Sequence, residues 1–208
     1  MIALLAVVAA YLIGSISFAV LVSWVFGLPD PRSYGSGNPG ATNVLRSGSK
    51  AAALATLLGD AGKGAAAVLL ARWAAPYLGL TDVTVACVAV AAFLGHLYPV
   101  YFGFRGGKGV ATAFGLLVVL SPWVALVAGA VFASSVLATR YISLGSVLAA
   151  AVAAVAAPVL LGWTPTAIAI ILMALLIVVR HLPNLKRLWD GQENKLGARK
   201  TAPPAEET

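Results

Sequence analysis

Residues 110–122, "VATAFGLLVVLSP", decide how many times this chain crosses a membrane. The apolar run ends at Leu120, because Ser121 and Pro122 follow it. A membrane span needs roughly 20 residues at about 1.5 Å each, so this segment is too short to cross alone. It is either a half-helix that begins inside the membrane or the first part of one kinked span over residues 110–139.

The rest of the chain is similarly apolar. Of its 208 residues, 61% are hydrophobic and 10% are charged, and the mean hydropathy is +0.94. These values lie far outside the range of soluble globular domains. Apolar segments lie at about 2–27, 51–78, 83–100, 110–120, 123–139, 146–161 and 164–179. They predict an all-α polytopic membrane protein.

One domain accounts for this pattern. Residues 1–196 are predicted to form a single integral membrane domain, and residues 197–208, which end in "APPAEET", a disordered cytoplasmic tail. The first apolar segment has no Lys or Arg before Arg32, so we expect it to remain as a span rather than be removed as a signal peptide.

The distribution of basic residues decides between six and seven spans. Seven spans place twelve of the fourteen Lys and Arg residues on one face, in the connections 28–50, 101–109, 140–145 and 180–208. Six spans would put Arg140 and the basic tail opposite Arg105 and Lys108. Because short cytoplasmic connections are rich in Lys and Arg, we predict seven transmembrane segments, an outside N-terminus and a cytoplasmic C-terminus. Residues 110–120 are then a short half-helix after a glycine-rich loop.

The same arrangement gathers the polar stretches on the cytoplasmic face, where we expect them to share one site. They are "YGSGNPGATNVLRSGSK" (34–50), "GHLYPVYFGFRGGKGVAT" (95–112), "RYISLGS" (140–146) and "RHLPNLKRLWDGQEN" (180–194).

The glycine-rich loop is a candidate phosphate site. Its glycines, Gly106, Gly107 and Gly109, allow backbone N–H groups to converge on an anion, and the helix that begins at Val110 presents unsatisfied donors at its positive end. Lys108 adds a charge. The loop is not a Walker A motif, because Gly109 follows Lys108 where Ser or Thr is needed. The alternative is that the glycines allow tight helix contact and Lys108 extends to the interface.

The first polar stretch has similar chemistry. Its glycines and Pro39 prevent a regular helix before Asn43, and short polar side chains supply hydrogen-bonding groups. Arg46 suits bidentate contact with phosphate or carboxylate. The alternative is a solvated loop with an arginine that only marks the cytoplasmic face. The substrate-binding candidates here are Gly37, Asn38, Gly40, Thr42 and Asn43.

Two further clusters supply candidates. Ser143 and Ser146 share a helix face; serine in membrane helices more often packs, and Ser143 is retained as a substrate-binding candidate. His181 and Asn184 lie three residues apart at the end of the last span, and His181 is a general-base candidate, although a lone histidine is usually structural.

The remaining ionisable residues and motifs point away from other chemistry. We expect Asp60 and Lys63 to neutralise each other within the second span, and His96 to cap a helix or pack. There is no HExxH motif and no cluster of Cys and His, so we predict no metal site, and we expect no organic cofactor and no nucleic-acid partner.

Three motifs resemble one known family, the bacterial membrane glycerol-3-phosphate acyltransferases that use acyl phosphate. They are "GSGNPGATNVLR" (35–46), "GHLYPVYFGFRGGKGVAT" (95–112) and "RHLPNLKRLWDGQENK" (180–195), in the family's order. The resemblance covers essentially the whole chain. It implies transfer of an acyl group from acyl phosphate to the sn-1 hydroxyl of glycerol 3-phosphate, giving lysophosphatidate and phosphate. It also implies seven spans in the bacterial inner membrane, contact with membrane lipids and a cytoplasmic active site.

The resemblance also assigns roles to residues. It implies that Ser36 and Arg46 are essential, that residues 106–109 bind glycerol 3-phosphate, and that His181 and Asn184 are active. Glu193 is similar to a structural glutamate of the family. The chain departs from the family at Leu182 and Pro183, and we expect Pro183 to alter the geometry between His181 and Asn184.

Two mechanisms and a second class of function stay open. In direct transfer, His181 or a substrate phosphate oxygen takes the hydroxyl proton, while backbone N–H groups near Ser36 or Arg46 stabilise the oxyanion. The competing mechanism forms an acyl-Ser36 intermediate. A transporter or channel for an anionic phosphorylated metabolite would also need broken helices and basic loops. Acyl-chain preference and oligomeric state do not follow from the sequence.

Overall fold

The computed structural model describes residues 1–197, which are helical and contain no β-strand. The helices are α1 (Ile2–Gly14), α2 (Phe18–Val25), α3 (Ala41–Val44), α4 (Lys50–Leu78), α5 (Asp82–Leu97), α6 (Val110–Leu120), α7 (Pro122–Thr139), α8 (Ile142–Leu161) and α9 (Pro165–Trp189). Short 3₁₀ turns cover Leu45–Ser47 and Val100–Phe102. Apart from Gly197, the predicted tail lies outside the described residues.

The apolar segments expected from the sequence are helices. Within the described part of the chain, five helices are long and apolar enough to cross a membrane, namely α4, α5, α7, α8 and α9. The pair α1 and α2, bent by 42°, makes a sixth if it is one span, and α6 is a shorter apolar helix. The prediction of an all-α chain with several helices long and apolar enough to span a membrane is therefore confirmed.

Helix α6 begins far along the side of α4. A Cβ at Gly64 of α4 would lie 2.6 Å from the carbonyl oxygen of Thr112, and a Cβ at Gly115 would overlap the carbonyl of Ala61. Gly64 follows Lys50 by fourteen residues, which is about 20 Å along the helix axis. The glycine-rich loop before α6 is therefore recessed into the bundle.

Side chains fix both ends of the break that separates α6 from α7. The guanidinium of Arg72 in α4 donates hydrogen bonds to the carbonyls of Val119 and Leu120, which have no partner within α6. The Ser121 hydroxyl accepts the N–H of Val124, and Pro122 occupies the first position of α7. The predicted end of the short apolar segment at Leu120 is confirmed. Arg72, which lies away from the basic face, binds the carbonyls at this helix end.

Helix α9 runs beyond the apolar stretch that predicts it. The apolar stretch ends near residue 179, but the helix continues through Pro183 to Trp189. The additional turns bury the polar residues His181 and Asn184 in the bundle. A pattern of apolar residues alone cannot extend a helix into such turns, and so the predicted end is about ten residues early.

Candidate active site

Arg180 ties the glycine-rich loop to α9. Its Nη2 donates to the carbonyl oxygens of Gly106 and Gly107, each at 3.0 Å, and its Nε donates to Gly107 at 3.3 Å. Arg180 also lies over the ring of Tyr98, 5.7 Å from the centroid. Arg180 is not among the catalytic and substrate-binding residues predicted from the sequence. Its spacing of four residues from Asn184, which puts both on one helix face, is the signal that identifies it.

A chain of hydrogen bonds leads from the same loop to the C-terminal segment. Lys108 Nζ donates to Oδ1 of Asn184, and Asn184 Nδ2 donates to Glu193 Oε1 at 2.6 Å. Arg187 Nε donates to Glu193 Oε2 at 2.9 Å. Burial acts to raise the pKa of Glu193, but the neighbouring Asn184, Ser143 and Arg187 side chains together outweigh it and hold that pKa below its usual value. Glu193 is therefore a carboxylate that orients Asn184.

Lys108 lies in a strongly positive environment. Burial and the charges of Arg187, Arg180 and Arg46 lower the pKa of its ammonium group to about 8, although the carboxylate of Glu193 acts in the opposite direction. Several cations thus act on Lys108, in the loop that Arg180 and Asn184 of α9 contact. Such a cluster favours a bound anion.

Asn43 organises the first polar stretch from within. Its side chain is 1% exposed, and its Nδ2 donates to the carbonyls of Pro31, at 2.6 Å, and Tyr34, at 3.1 Å. Its Oδ1 accepts the N–H of Ser36 at 3.0 Å and lies 3.4 Å from Nη1 of Arg46. The amide of Asn43 is thus occupied by the loop, in contrast to the substrate contact expected from the sequence.

The same contacts change the expectation for Ser36. Its backbone N–H points to Asn43 and is not available to an oxyanion, whereas the residue itself is exposed. Next to it, Gly35 has φ +63°, and a Cβ there would overlap Asn43 Oδ1 and lie 3.2 Å from Cδ of Arg46. Gly35 therefore allows Arg46 to pack against the loop, a role that the sequence does not predict because the contact depends on how the loop folds.

The first polar stretch lies against the glycine-rich segment. A Cβ at Gly107 would be 3.1 Å from the carbonyl oxygen of Pro39, and the guanidinium of Arg32 is 5.4 Å from the centre of the Phe102 ring. Of the other candidates in this stretch, Asn38 and Gly40 are half-buried, and Gly37 and Thr42 are exposed. The structure therefore brings the two predicted loops together.

One backbone donor of the glycine-rich loop is already used. The N–H of Gly107 donates to the carbonyl of His96 at 3.1 Å. The expectation that the N–H groups of successive glycines all converge on an anion is therefore wrong for Gly107. Gly109, which has φ +83° and packs against Phe93, turns the chain into the first turn of α6.

His181 is buried, and its tautomer follows from its contact. Its Nδ1 lies 2.8 Å from the carbonyl oxygen of Ile177, and a carbonyl can only accept a hydrogen bond. Nδ1 therefore carries the hydrogen and Nε2 carries a lone pair. Helix α9 continues through Pro183, and both His181 and Asn184 are buried.

The serines of α8 differ in their surroundings. Ser143 is buried at the start of the helix and is one of the neighbours that lower the pKa of Glu193. Ser146 donates back to the carbonyl of Ile142 at 2.8 Å, as serine does when it packs within a helix. Ser143 therefore lies close to Glu193, but its hydroxyl makes no hydrogen bond within the described residues. Among the described residues there is no group of His, Cys, Asp or Glu that could hold a metal ion.

Known proteins match the chain over nearly its whole length. Residues 4–191 match the family model for glycerol-3-phosphate acyltransferase. Proteins of that name from Thiobacillus denitrificans and Nitrosospira multiformis are 57% and 51% identical, over 96% and 93% of this chain and 100% and 96% of their own lengths.

Solved structures agree with these sequence relatives. The crystal structure of PlsY, an integral membrane glycerol 3-phosphate acyltransferase, in its glycerol 3-phosphate form is 38% identical, with a TM-score of 0.87. Its lysophosphatidic acid form is 37% identical, with a TM-score of 0.85, and both matches cover 95% of this chain and 96% of the other. This chain therefore belongs to the glycerol-3-phosphate acyltransferase family and is an integral membrane acyltransferase.

Proposed function

We propose that the enzyme takes its acyl group from acyl phosphate and transfers it to the sn-1 hydroxyl of glycerol 3-phosphate, giving lysophosphatidate and phosphate. The observation that carries this proposal is the cationic cluster at Lys108. Two phosphate groups must approach each other in this reaction, and two unit charges 4 Å apart repel by about 4 kcal/mol at an effective dielectric of about 20. Lys108, Arg180, which holds the same loop, and Arg187, which reaches Lys108 through Glu193 and Asn184, offset that repulsion together with Arg46.

The glycine-rich loop, residues 106–109, binds the phosphate of glycerol 3-phosphate. Arg180 turns the carbonyls of Gly106 and Gly107 away from this anion, while Lys108 and the first turn of α6 present positive charge. The relative PlsY, whose structure has a glycerol 3-phosphate form, supports this class of substrate. Asn184 fixes the position of the Lys108 ammonium group, and Ser143 completes the wall around Glu193.

The first polar stretch binds the acyl phosphate. Its exposed and half-buried residues, Ser36, Gly37, Asn38, Gly40 and Thr42, face this substrate, while Asn43 holds the loop in shape. Arg46 makes the bidentate contact with phosphate, for which a guanidinium is suited.

The acyl group is transferred directly. The sn-1 oxygen attacks the carbonyl carbon, the bond from that carbon to the phosphate oxygen breaks, and phosphate leaves with the electron pair. Nε2 of His181, or a phosphate oxygen of a substrate, takes the hydroxyl proton. Because the N–H of Ser36 is occupied by Asn43, the Ser36 hydroxyl and Arg46 stabilise the oxyanion instead.

The site lies on the cytoplasmic side of a bacterial inner membrane. The bent pair α1 and α2, together with α4 to α9, makes seven segments when the short helix α6 is counted as one. Ten of the twelve Lys and Arg residues in the described part of the chain then lie on the face that carries the site, which the positive-inside rule assigns to the cytoplasm, with the N-terminus outside.

Phosphate release by the purified enzyme in detergent tests the donor. Release that requires both glycerol 3-phosphate and acyl phosphate supports the proposal. Equal acylation from an acyl thioester in the absence of acyl phosphate contradicts it.

Mass spectrometry after mixing the enzyme with labelled acyl phosphate alone tests direct transfer, with Ser36→Ala as the control. A stable label on the Ser36 peptide that Ser36→Ala lacks would establish the acyl-enzyme mechanism instead.

A further inference from the structure

Three ionisable side chains lie beneath the glycine-rich loop and take no part in the proposed mechanism. Asp60 and Lys63 of α4 are 2% and 5% exposed, and His96 of α5 is 7% exposed. Ionisable groups inside a membrane protein are costly, and they usually serve a function.

Mutual neutralisation explains Asp60 and Lys63 only in part. Lys63 Nζ lies 2.8 Å from Asp60 Oδ1, which confirms the expected pair, and it donates to the carbonyl of Ile16 at 2.6 Å. Ile16 lies in the break between α1 and α2, where carbonyls need partners from elsewhere. A pair that only neutralises itself has no advantage over two apolar residues, because buried ion pairs often add no stability.

Asp60 has a second contact that leads to the active site. Its Oδ1 lies 3.5 Å from Nδ1 of His96, and the other edge of that imidazole faces Gly107, where a Cβ would overlap Nε2. The carbonyl of His96 accepts the N–H of Gly107 at 3.1 Å. On the opposite side, Arg180 holds the carbonyls of the loop. His96 and Arg180 thus clamp the loop that carries Lys108.

We propose that Asp60 is a positioning residue for glycerol 3-phosphate. Its carboxylate orients the imidazole of His96, which supports Gly107 and so sets the place of the Lys108 ammonium group. This inference rests on the proposed binding of glycerol 3-phosphate at residues 106–109. Substitutions that break the contact between Asp60 and His96 weaken substrate binding without removing any group that touches the substrate.

A double variant separates positioning from neutralisation. Asp60→Asn together with Lys63→Met removes both buried charges, so neither is left unpaired. The dissociation constant for glycerol 3-phosphate is measured by calorimetry on the purified, monodisperse protein with no acyl donor present. We expect this dissociation constant to rise about tenfold, because the carboxylate charge 3.5 Å from the imidazole of His96 is lost. A wild-type dissociation constant in this variant overturns the proposal.

His96→Asn is the second variant, in case the double variant does not fold. The asparagine amide still reaches toward Asp60 but lacks the ring atoms that face Gly107. We expect a similar rise in the dissociation constant, together with a kcat near the wild-type value. An unchanged dissociation constant, even with a lowered unfolding temperature, means a purely structural role and overturns the proposal.

Lys108→Ala, measured in the same way, tests the assignment on which the inference rests. If it binds glycerol 3-phosphate as the wild type does, the proposed function of the loop fails. If Lys108→Ala loses affinity while the two other variants keep it, only the role of Asp60 fails.

Discussion

The ammonium group of Lys108 donates a hydrogen bond to the side-chain carbonyl of Asn184, 76 residues further along the chain. This contact joins the glycine-rich loop to the last helix, and Glu193 holds the same amide from its other end. The position of the Lys108 ammonium group is therefore set by the neutral side chain of Asn184. A substrate anion can replace this contact without separating an ion pair.

Asn184→Leu tests this relationship. The substitution removes the acceptor of Lys108 and the donor to Glu193, and hydrogen bonds to charged groups each contribute about 1.5–3 kcal/mol. We expect KM for glycerol 3-phosphate to rise by about tenfold or more and kcat to fall. The control is Asn194→Leu, at an exposed asparagine in the adjacent C-terminal segment, for which we expect little change. Equal kinetics in the two variants would contradict the role of Asn184.

The pH dependence of binding reports on Lys108. The pKa of its ammonium group is lowered to about 8 in the free enzyme, and a bound phosphate dianion raises it. Affinity for glycerol 3-phosphate is thus highest below pH 8, where Lys108 is protonated. It falls as the pH rises through 8, by up to about tenfold per pH unit. The dissociation constant is measured at constant ionic strength from pH 7 upward, which is above the second phosphate ionisation at about 6.

Lys108→Arg is the matched variant for this measurement, because a guanidinium stays protonated over the whole range. We expect its affinity, whatever its absolute value, to lose the fall above pH 8. Parallel profiles for wild type and Lys108→Arg would assign the pH dependence to another group.

Arg46→Lys tests the bidentate phosphate contact. Lysine keeps the charge but cannot present two parallel donors, so we expect kcat/KM for acyl phosphate to fall by at least about tenfold. Arg32→Lys, two residues before that stretch, is the control, since the guanidinium of Arg32 is engaged by Asp30 at 2.6 Å. Turnover of Arg46→Lys close to that of Arg32→Lys would show that charge alone suffices.

The sequence predicts the spans and the loops because these depend on local composition. The end of α6 follows from Ser121 and Pro122, and the common face of the polar stretches follows from the count of basic residues. Family membership decides against the alternative of an anion transporter, because it gives the chain an acyltransferase activity.

The contacts that shape the site do not follow from the sequence, because their partners are distant in the chain. The N–H of Gly107 is used by His96, which belongs to the preceding helix, and the carbonyl of Gly107 by Arg180 from the last one. In the first polar stretch, the four contacts of Asn43 depend on a fold of the loop that its glycines permit but do not specify.

The backbone contact between α4 and α6 determines where the glycine-rich loop lies, and two glycines test it. A Cβ at Gly115 of α6 would overlap the carbonyl of Ala61, so Gly115→Ala forces the helices apart, at a cost of about 1–3 kcal/mol. Gly62 of α4 is exposed and a Cβ there meets no atom within 4 Å, so Gly62→Ala should gain up to about 1 kcal/mol from helix propensity.

The unfolding temperatures of Gly115→Ala and Gly62→Ala are measured in the same detergent and compared with that of the wild type. We expect a decrease for Gly115→Ala and no change or an increase for Gly62→Ala. Because α6 begins two residues after Lys108, its displacement also moves the loop, and KM for glycerol 3-phosphate should rise in Gly115→Ala alone. A shift of the same sign and size in both variants would mean that the close approach of α6 to α4 does not position the loop.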